Sequence, residues 1–516
     1  MIMQHEQILS KASRRLLVGL AMTVLVAGGV PATAIAAEIY TVDRFDDDAL
    51  ADGCSGAAND CSLRGAISKA NTDAQSTTIV LPDGTYLLTI PGADEDSNMT
   101  GDLDIQDDLE IKAAPDANPV IEQTVTDRVF ETLLGIGSLT IRGPMTITGG
   151  NVVSPSPGNG GGLIFADRSG SLTLEDVALV GGKAAGGGGC LSFLDRSVGP
   201  STLSLTNVTL SGCSSGGYGG GLLAKIGDSS ATFDRLVVED NTARYAGGGV
   251  SILGSSTTVL FVESTIQGNV SEDPVTGDGY GGGIYLGSAN ARIERSTVAQ
   301  NRAGVATGVT GYGGGLYLSD SGMTLRNSTV SGNVVEGSVG QGTAMILKTD
   351  SGSSTLLVEQ STIVGDPTSS LMWSAVGIFS NGAITFEGSI VEGGCSIQNT
   401  GTFTSNGFNV ERPIDGSVTT QCGLTNPSDV LTSSPFLSPL AGYGGPTQTH
   451  ALMAGSPANF LVSSTYCQAT DQRLAPRAYL FCDAGSYESS GQPPGTWVFS
   501  DGFESGNVAA WSDSVP

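Results

Sequence analysis

The sequence predicts an all-β fold: a right-handed parallel β-helix of roughly nine coils, with a short N-terminal capping helix and a small C-terminal module. Three observations predict it. The first is a recurring glycine phrase. "YGGGIYL" (280–286) returns 32 residues later as "YGGGLYL" (312–318), and weaker copies stand at 160–163, 186–190, 218–222 and 245–250. The second is a strand-like phrase between the copies, for example "ATFDRLVVEDN" (231–241), "ARIERSTVAQN" (291–301) and "MTLRNSTVSGN" (323–333). Each is an alternating apolar run closed by a turn residue, usually Asn. The third is composition. Glycine is 75 of 516 residues, about twice the usual share of about 7%. Gly, Ser, Thr and Val fill the copies where a helical repeat would place Glu, Lys and Gln. Regular phrases at uneven spacing describe stacked coils whose loops differ in length, each coil burying its apolar face on its neighbours.

The elements follow in order. Lys11, Arg14 and Arg15 precede an apolar run at 16–30, and "PATAIAA" (31–37) offers small residues for cleavage. Residues 1–37 therefore read as a secretory signal peptide, and the chain as secreted or held at the cell surface. Residues 38–90 form the N-terminal cap. Leu63, Ala66, Ile67 and Ala70 share one helix face at i, i+3, i+4, i+7 spacing, which suits a lid on the open end of a solenoid. Residues 91–425 carry the coils, 426–490 the C-terminal module and 491–516 a flexible tail. Phe233, Phe261, Ile293 and Leu325 align as one core column. Asn241, Asn269, Asn301 and Asn333 should stack in a turn and bond along the axis. Ser264–Thr265, Ser296–Thr297, Ser328–Thr329 and Ser361–Thr362 form parallel Ser-Thr columns.

All eight cysteines lie beyond the leader. An even count in an exported chain reads as disulfides, and spacing pairs Cys54 with Cys61, Cys190 with Cys213, Cys395 with Cys422 and Cys467 with Cys482. Zinc is disfavoured: no C-x-x-C occurs, and beyond the leader the chain has a single histidine, His450.

Both ends resemble known modules. "DCSLRGAISKAN" (60–71), with its flanks at 38–54 and 77–90, resembles the CSLREA domain that begins many bacterial surface and secreted β-helix proteins. Gly65 stands where that family usually has Glu. "GYGGPTQTHALMAGSPANF" (442–460), "DQRLAPR" (471–477) and "CDAGSYE" (482–488) resemble the choice-of-anchor Q module. The glycine phrase and Asn-ended strand of the middle are similar to polymorphic outer-membrane protein repeats. These resemblances imply a β-helix at the cell surface, and say little of chemistry.

Charge and motif bound the chemistry. A net charge of −28 disfavours nucleic acid, whose phosphates want a basic surface. No later stretch reaches the roughly 18 apolar residues of a membrane span. A glycosidase needs paired carboxylates, and a lyase needs a calcium cluster and a base. His450 reads as structural, and "NTD" (71–73) as a helix terminus. The acidic stretches 43–52 and 94–104 could bind calcium, with Asp94, Asp96, Asp102 and Asp104 as ligands of a structural ion; no other cofactor is implied. Tyr285 and Tyr317 alternate with core residues and should face outward, with Tyr280 and Tyr312 at the turn beside them and Tyr218 continuing the row one or two coils earlier, as a platform for sugar rings. The chain thus reads as a monomeric, exported, non-catalytic adhesion or carbohydrate-binding protein with a polysaccharide or cell-surface glycan as partner. The alternative is a polysaccharide lyase or glycoside hydrolase acting on acidic polysaccharide.

Overall fold

The computed structural model describes residues 38–489, apart from 74–75, 93–94, 134–137, 154–159, 168–169, 196–200, 306–309, 338–339, 367–373, 415–418 and 479. The expected signal peptide, tail and Asp94 lie outside the described residues. The described chain is an all-β parallel solenoid of about nine turns with one short helix near the N-terminus.

The central coils follow the same course. Ile284–Gly287 joins an 11-stranded sheet; Asn290–Glu294 and Thr297–Ala299 join a 24-stranded sheet; Arg302–Ala303 joins a seven-stranded sheet. The next coil repeats each rung in parallel register, so Phe233, Phe261, Ile293 and Leu325 face one another as the sequence pattern predicts. Alternation along each strand sends these side chains inward, into one apolar core that runs from Tyr40 to Leu424. The two strands of the large sheet meet at a bend where Arg235, Glu263, Arg295, Asn327 and Gln360 hold φ between 41° and 51°. Left-handed backbone at non-glycine residues costs about 1 kcal/mol or more each. The residue after the bend offsets that cost. Ser264, Ser296, Ser328 and Ser361 each accept a backbone N–H from the preceding coil at 3.0–3.1 Å.

The asparagine column is a second internal ladder. Asn269 donates its backbone N–H and its side-chain amide to Oδ1 of Asn301, at 3.0 and 2.9 Å, and Asn301 does the same to Asn333. All four asparagines are buried. This ladder and the coil spacing explain the three glycines of "YGGG". Gly281 has φ +62°; a Cβ on Gly282 would lie 2.4 Å from the Gly314 carbonyl; one on Gly283 would lie 2.9 Å from the Asn301 amide. The phrase needs one left-handed turn and two backbones with no side chain at all.

At the N-terminal end, Leu63–Ala70 is helical and buries Leu63, Ala66, Ile67 and Ala70. Ser62 caps it, accepting from the Gly65 N–H at 2.9 Å. Gly65 has a physical reason: a Cβ there would sit 2.0 Å from the Ala51 carbonyl oxygen. Asn71 closes the helix, donating to the Asp104 carbonyl and accepting from the Gln106 N–H. Strands of this cap are already rungs of the large sheet, since Glu38–Thr41 pairs with Thr77–Leu81 and that strand with Leu109–Ala113. Disulfides join Cys54–Cys61, Cys190–Cys213, Cys395–Cys422 and Cys467–Cys482.

The C-terminal module does not end the solenoid; it folds back along its flank. Thr297, Thr329 and Thr362 lie on successive coils of the large sheet. Gln472 donates to Thr297 Oγ1 at 3.0 Å and accepts from Thr329 Oγ1 at 2.7 Å. Thr329 also meets Thr449 and Ser486, and Thr362 accepts from the Ser486 N–H. Arg477, wholly buried, donates to Asn327 Oδ1, the Gly485 carbonyl and Glu488. His450 bonds the Ser438 carbonyl and the Ser331 hydroxyl, and burial holds its imidazole below the usual histidine range. A small second core of Ile390, Val410, Ala458, Val462, Cys482 and Ala484 completes the seam.

Candidate functional site: a tyrosine-lined flank

The flank outside the 11-stranded sheet carries the tyrosines. One outward column reads Phe165, Ser192, Leu223, Ser251, Tyr285, Tyr317, Ile346. The turn beside it stacks Tyr218, Ala246, Tyr280, Tyr312 and Gln341. Neighbouring coils lie about 4.8 Å apart, a spacing that suits ring stacking. Tyr285 stacks on Tyr317 at 5.4 Å and 13°, and Tyr280 on Tyr312 at 5.8 Å and 21°. Tyr280 also packs edge-on against Tyr317 at 5.6 Å.

This stacking corrects the expected platform. Tyr317 points away from the core, yet it is only 4% exposed, because Tyr285, Tyr280 and its register neighbour Ile346 enclose it. Burial pushes its hydroxyl pKa up, and burial does the same at Tyr285 and Tyr312. Tyr280, Tyr285 and Tyr312 are half-buried, with ring faces spent on one another. These four rings are chiefly packing.

The open rings lie one and two coils earlier. Tyr218 and Tyr245 are each 40% exposed, with centroids 6.0 Å apart, and Tyr218 joins the stack through Tyr285 at 5.9 Å. They border an open groove of about 350 Å³ floored by Leu223, Leu253 and the backbone of Gly186, Gly187, Gly216 and Gly217. Glycine keeps the floor open: a Cβ on Gly187 would meet Leu223 at 2.4 Å, and one on Gly216 the Ala185 carbonyl at 2.4 Å. Lys225 stands exposed at the rim; among the described residues no carboxylate pairs with it. Arg244 lies over the Tyr245 ring at 5.1 Å and faces Asp273 at 3.5 Å. The arrangement offers two ring faces, an apolar floor and, at Lys225, a cation without a carboxylate partner among the described residues. Sequence reading reached Tyr218 as a continuation of the row. It missed Tyr245, though "YAGGGV" carried the signal, and it missed Leu223, Leu253 and Lys225, which only the register brings together.

The expected calcium ligands divide. The first acidic stretch is spent on structure: Asp47 pairs with Arg64 and accepts from the Thr89 and Ile90 N–H groups, and Asp43 accepts from Asn59 and Cys61. Asp96 is exposed and is not gathered with the others. It sits in a turn organised instead by Glu95, which accepts from Met99 and Thr100. Asp102 and Asp104 do come together, with Glu131 as a third member that sequence reading did not name.

The geometry defines a parallel β-solenoid with one flank closed by its own C-terminal module. The model of the family described as right handed beta helix region matches residues 163–411. No curated protein matches the chain. Among the described residues, no helix is long and apolar enough to cross a membrane.

Proposed function

We propose that this protein is an exported, non-catalytic β-helix whose open flank binds a polysaccharide or cell-surface glycan at the groove between Tyr218, Tyr245 and Lys225. The observation that carries the reading is the pair of exposed tyrosines over an apolar floor, on a flank whose other tyrosines are packed. Flat apolar faces edged by hydroxyls suit sugar rings, and the exposed Lys225 ammonium at the rim suits a glycan carboxylate or sulfate. Four disulfides support an oxidising compartment. The likeness of 60–71 to CSLREA and of 442–488 to choice-of-anchor Q supports a place at the cell surface.

The test is a glycan array, run with calcium, of the parent and of a Tyr218→Ala, Tyr245→Ala variant. The parent should bind acidic glycans and the folded variant should not. If the parent binds nothing, or the variant binds equally well, the groove is only surface. The same panel is assayed for unsaturated uronate and new reducing ends. Turnover there would replace the reading with the lyase or hydrolase alternative.

A further inference from the structure

The N-terminal coils hold a second cluster, on the outer side of the 11-stranded sheet. Leu103–Ile105 and Phe130–Thr132 are adjacent rungs, and Asp104 faces Glu131 directly in register. Asp102 lies two residues before. One carboxylate oxygen from each of Asp102, Asp104 and Glu131 falls within 4.8 Å of the others. Like charges opposed across a ladder repel, so something must pay for this placement.

Burial sharpens the question. Asp104 is fully buried and Asp102 nearly so. Asp104 Oδ2 accepts from the Asn98 N–H at 2.9 Å, but among the described residues its enclosed Oδ1 has no donor on it. A buried carboxylate oxygen is expensive to leave without a partner. Burial, with Glu95 and Asp96 nearby, raises the Asp104 pKa to about 7, and burial and Asp127 raise that of Asp102.

Among the described residues, the nearby cations do not balance the cluster. Arg64 is committed to Asp47 and to the carbonyls of Gly101 and Asp102. Arg128 touches Glu131, approaches Asp102 at 3.6 Å and lies over the Phe165 ring at 5.0 Å. Among the described residues, Arg128 thus serves Asp102 and Glu131, Arg64 acts on Asp104 without an ion pair to it, and Asp127 adds a fourth carboxylate beside Asp102. A divalent cation would supply the missing positive charge. An all-oxygen donor set selects a hard ion, and calcium accepts irregular carboxylate geometry where magnesium demands a near-ideal octahedron.

We propose that Asp102, Asp104 and Glu131 form a calcium site that ties the first two coils to the cap. Asp104 already reaches the helix through Asn98, whose side-chain amide donates to the Arg64 carbonyl and Ser68 hydroxyl. An ion on Asp104 and Glu131 locks that connection to the next rung. The site is independent of the tyrosine groove, and either proposal stands without the other.

The oxidised full chain, stripped of metal, is titrated with calcium chloride by calorimetry and followed by thermal unfolding, with magnesium chloride in a parallel arm. The expected result is one equivalent of calcium bound, a rise in Tm, and at least tenfold weaker magnesium binding. Asp104→Asn should keep the acceptor for Asn98 and remove a buried charge, so its metal-free Tm should equal or exceed the parent's, while calcium affinity falls more than about tenfold. Glu131→Gln, on a less buried residue, should show the same loss. The proposal is overturned if millimolar calcium gives neither heat nor a Tm shift, or if both variants bind calcium as the parent does.

Discussion

Two outward columns climb the same coils and meet opposite fates. Thr297, Thr329 and Thr362 on the large sheet are sealed beneath the C-terminal module, each hydroxyl paired with a side chain or carbonyl of that module. Tyr285 and Tyr317 on the 11-stranded sheet have no module over them among the described residues and are shielded by one another. The difference teaches that facing out of a coil is not the same as facing water. A hydroxyl column has unmet hydrogen-bonding capacity and is completed by a polar partner. An aromatic column at coil spacing largely completes itself and leaves its end, Tyr218 with Tyr245, the most open of the rings in the described stack.

The comparison can be broken from the covered side first. Arg477→Ala should have the largest effect, about 3–5 kcal/mol, because it strands the buried Glu488 carboxylate and Asn327 Oδ1. Denaturant unfolding measures it, and susceptibility of the 432–489 region to protease shows whether the loss lies at the seam. Asn301→Ala comes next. It removes the acceptor of two buried Asn269 donors, at about 1–3 kcal/mol for each group left unpaired, whereas Asn301→Asp keeps that acceptor and tests whether the ladder or the residue matters. Thr329→Val, which keeps shape and removes one hydroxyl shared by Gln472, Thr449 and Ser486, should cost about 1–3 kcal/mol.

The pH response sharpens the same contrast. His450 has its folded pKa held below 6.5 by burial. As pH falls below 6.5 the unfolded chain takes up a proton that the folded imidazole refuses, so stability declines with acidification and is fully present above that range. Asp104, raised to about 7, gains stability over the same range in any variant that keeps it, so the test is the difference: between pH 7.5 and 5.5 the parent's urea midpoint should fall relative to that of His450→Gln. A parent midpoint that does not fall relative to the variant on acidification would contradict the burial of this group. The smallest effect belongs to the open side: Tyr245→Ala should change the unfolding midpoint by no more than a typical surface substitution, within about 0.5 kcal/mol.

Much of the fold was legible because stacked coils write their register into the sequence. The alignment of Phe233 with Phe261, Ile293 and Leu325 follows from phrase alone, as do the asparagine column, the apolar face of the 63–70 helix and the repeat that announces the solenoid. What was illegible depends on contacts without local periodicity. The docking of Gln472 on Thr297 and Thr329 joins residues more than a hundred positions apart, and nothing in either phrase names the other. The tyrosine platform failed for a related reason: alternation gave the direction of Tyr317, but its enclosure depends on Tyr280 from the neighbouring turn and on Ile346 one coil on. Of the acidic cluster, Asp102 and Asp104 could be named, while Glu131 enters only through the pairing of two short rungs.

Hydroxyl-radical footprinting of the native chain, free and with its best array glycan, tests the central claim most directly. The account predicts rapid oxidation of Tyr218 and Tyr245 in the free protein, protection of both by the glycan, and a silent Tyr317 in either state. Oxidation of Tyr317 as fast as Tyr218, or glycan protection centred on the Thr297–Thr362 flank, would contradict it.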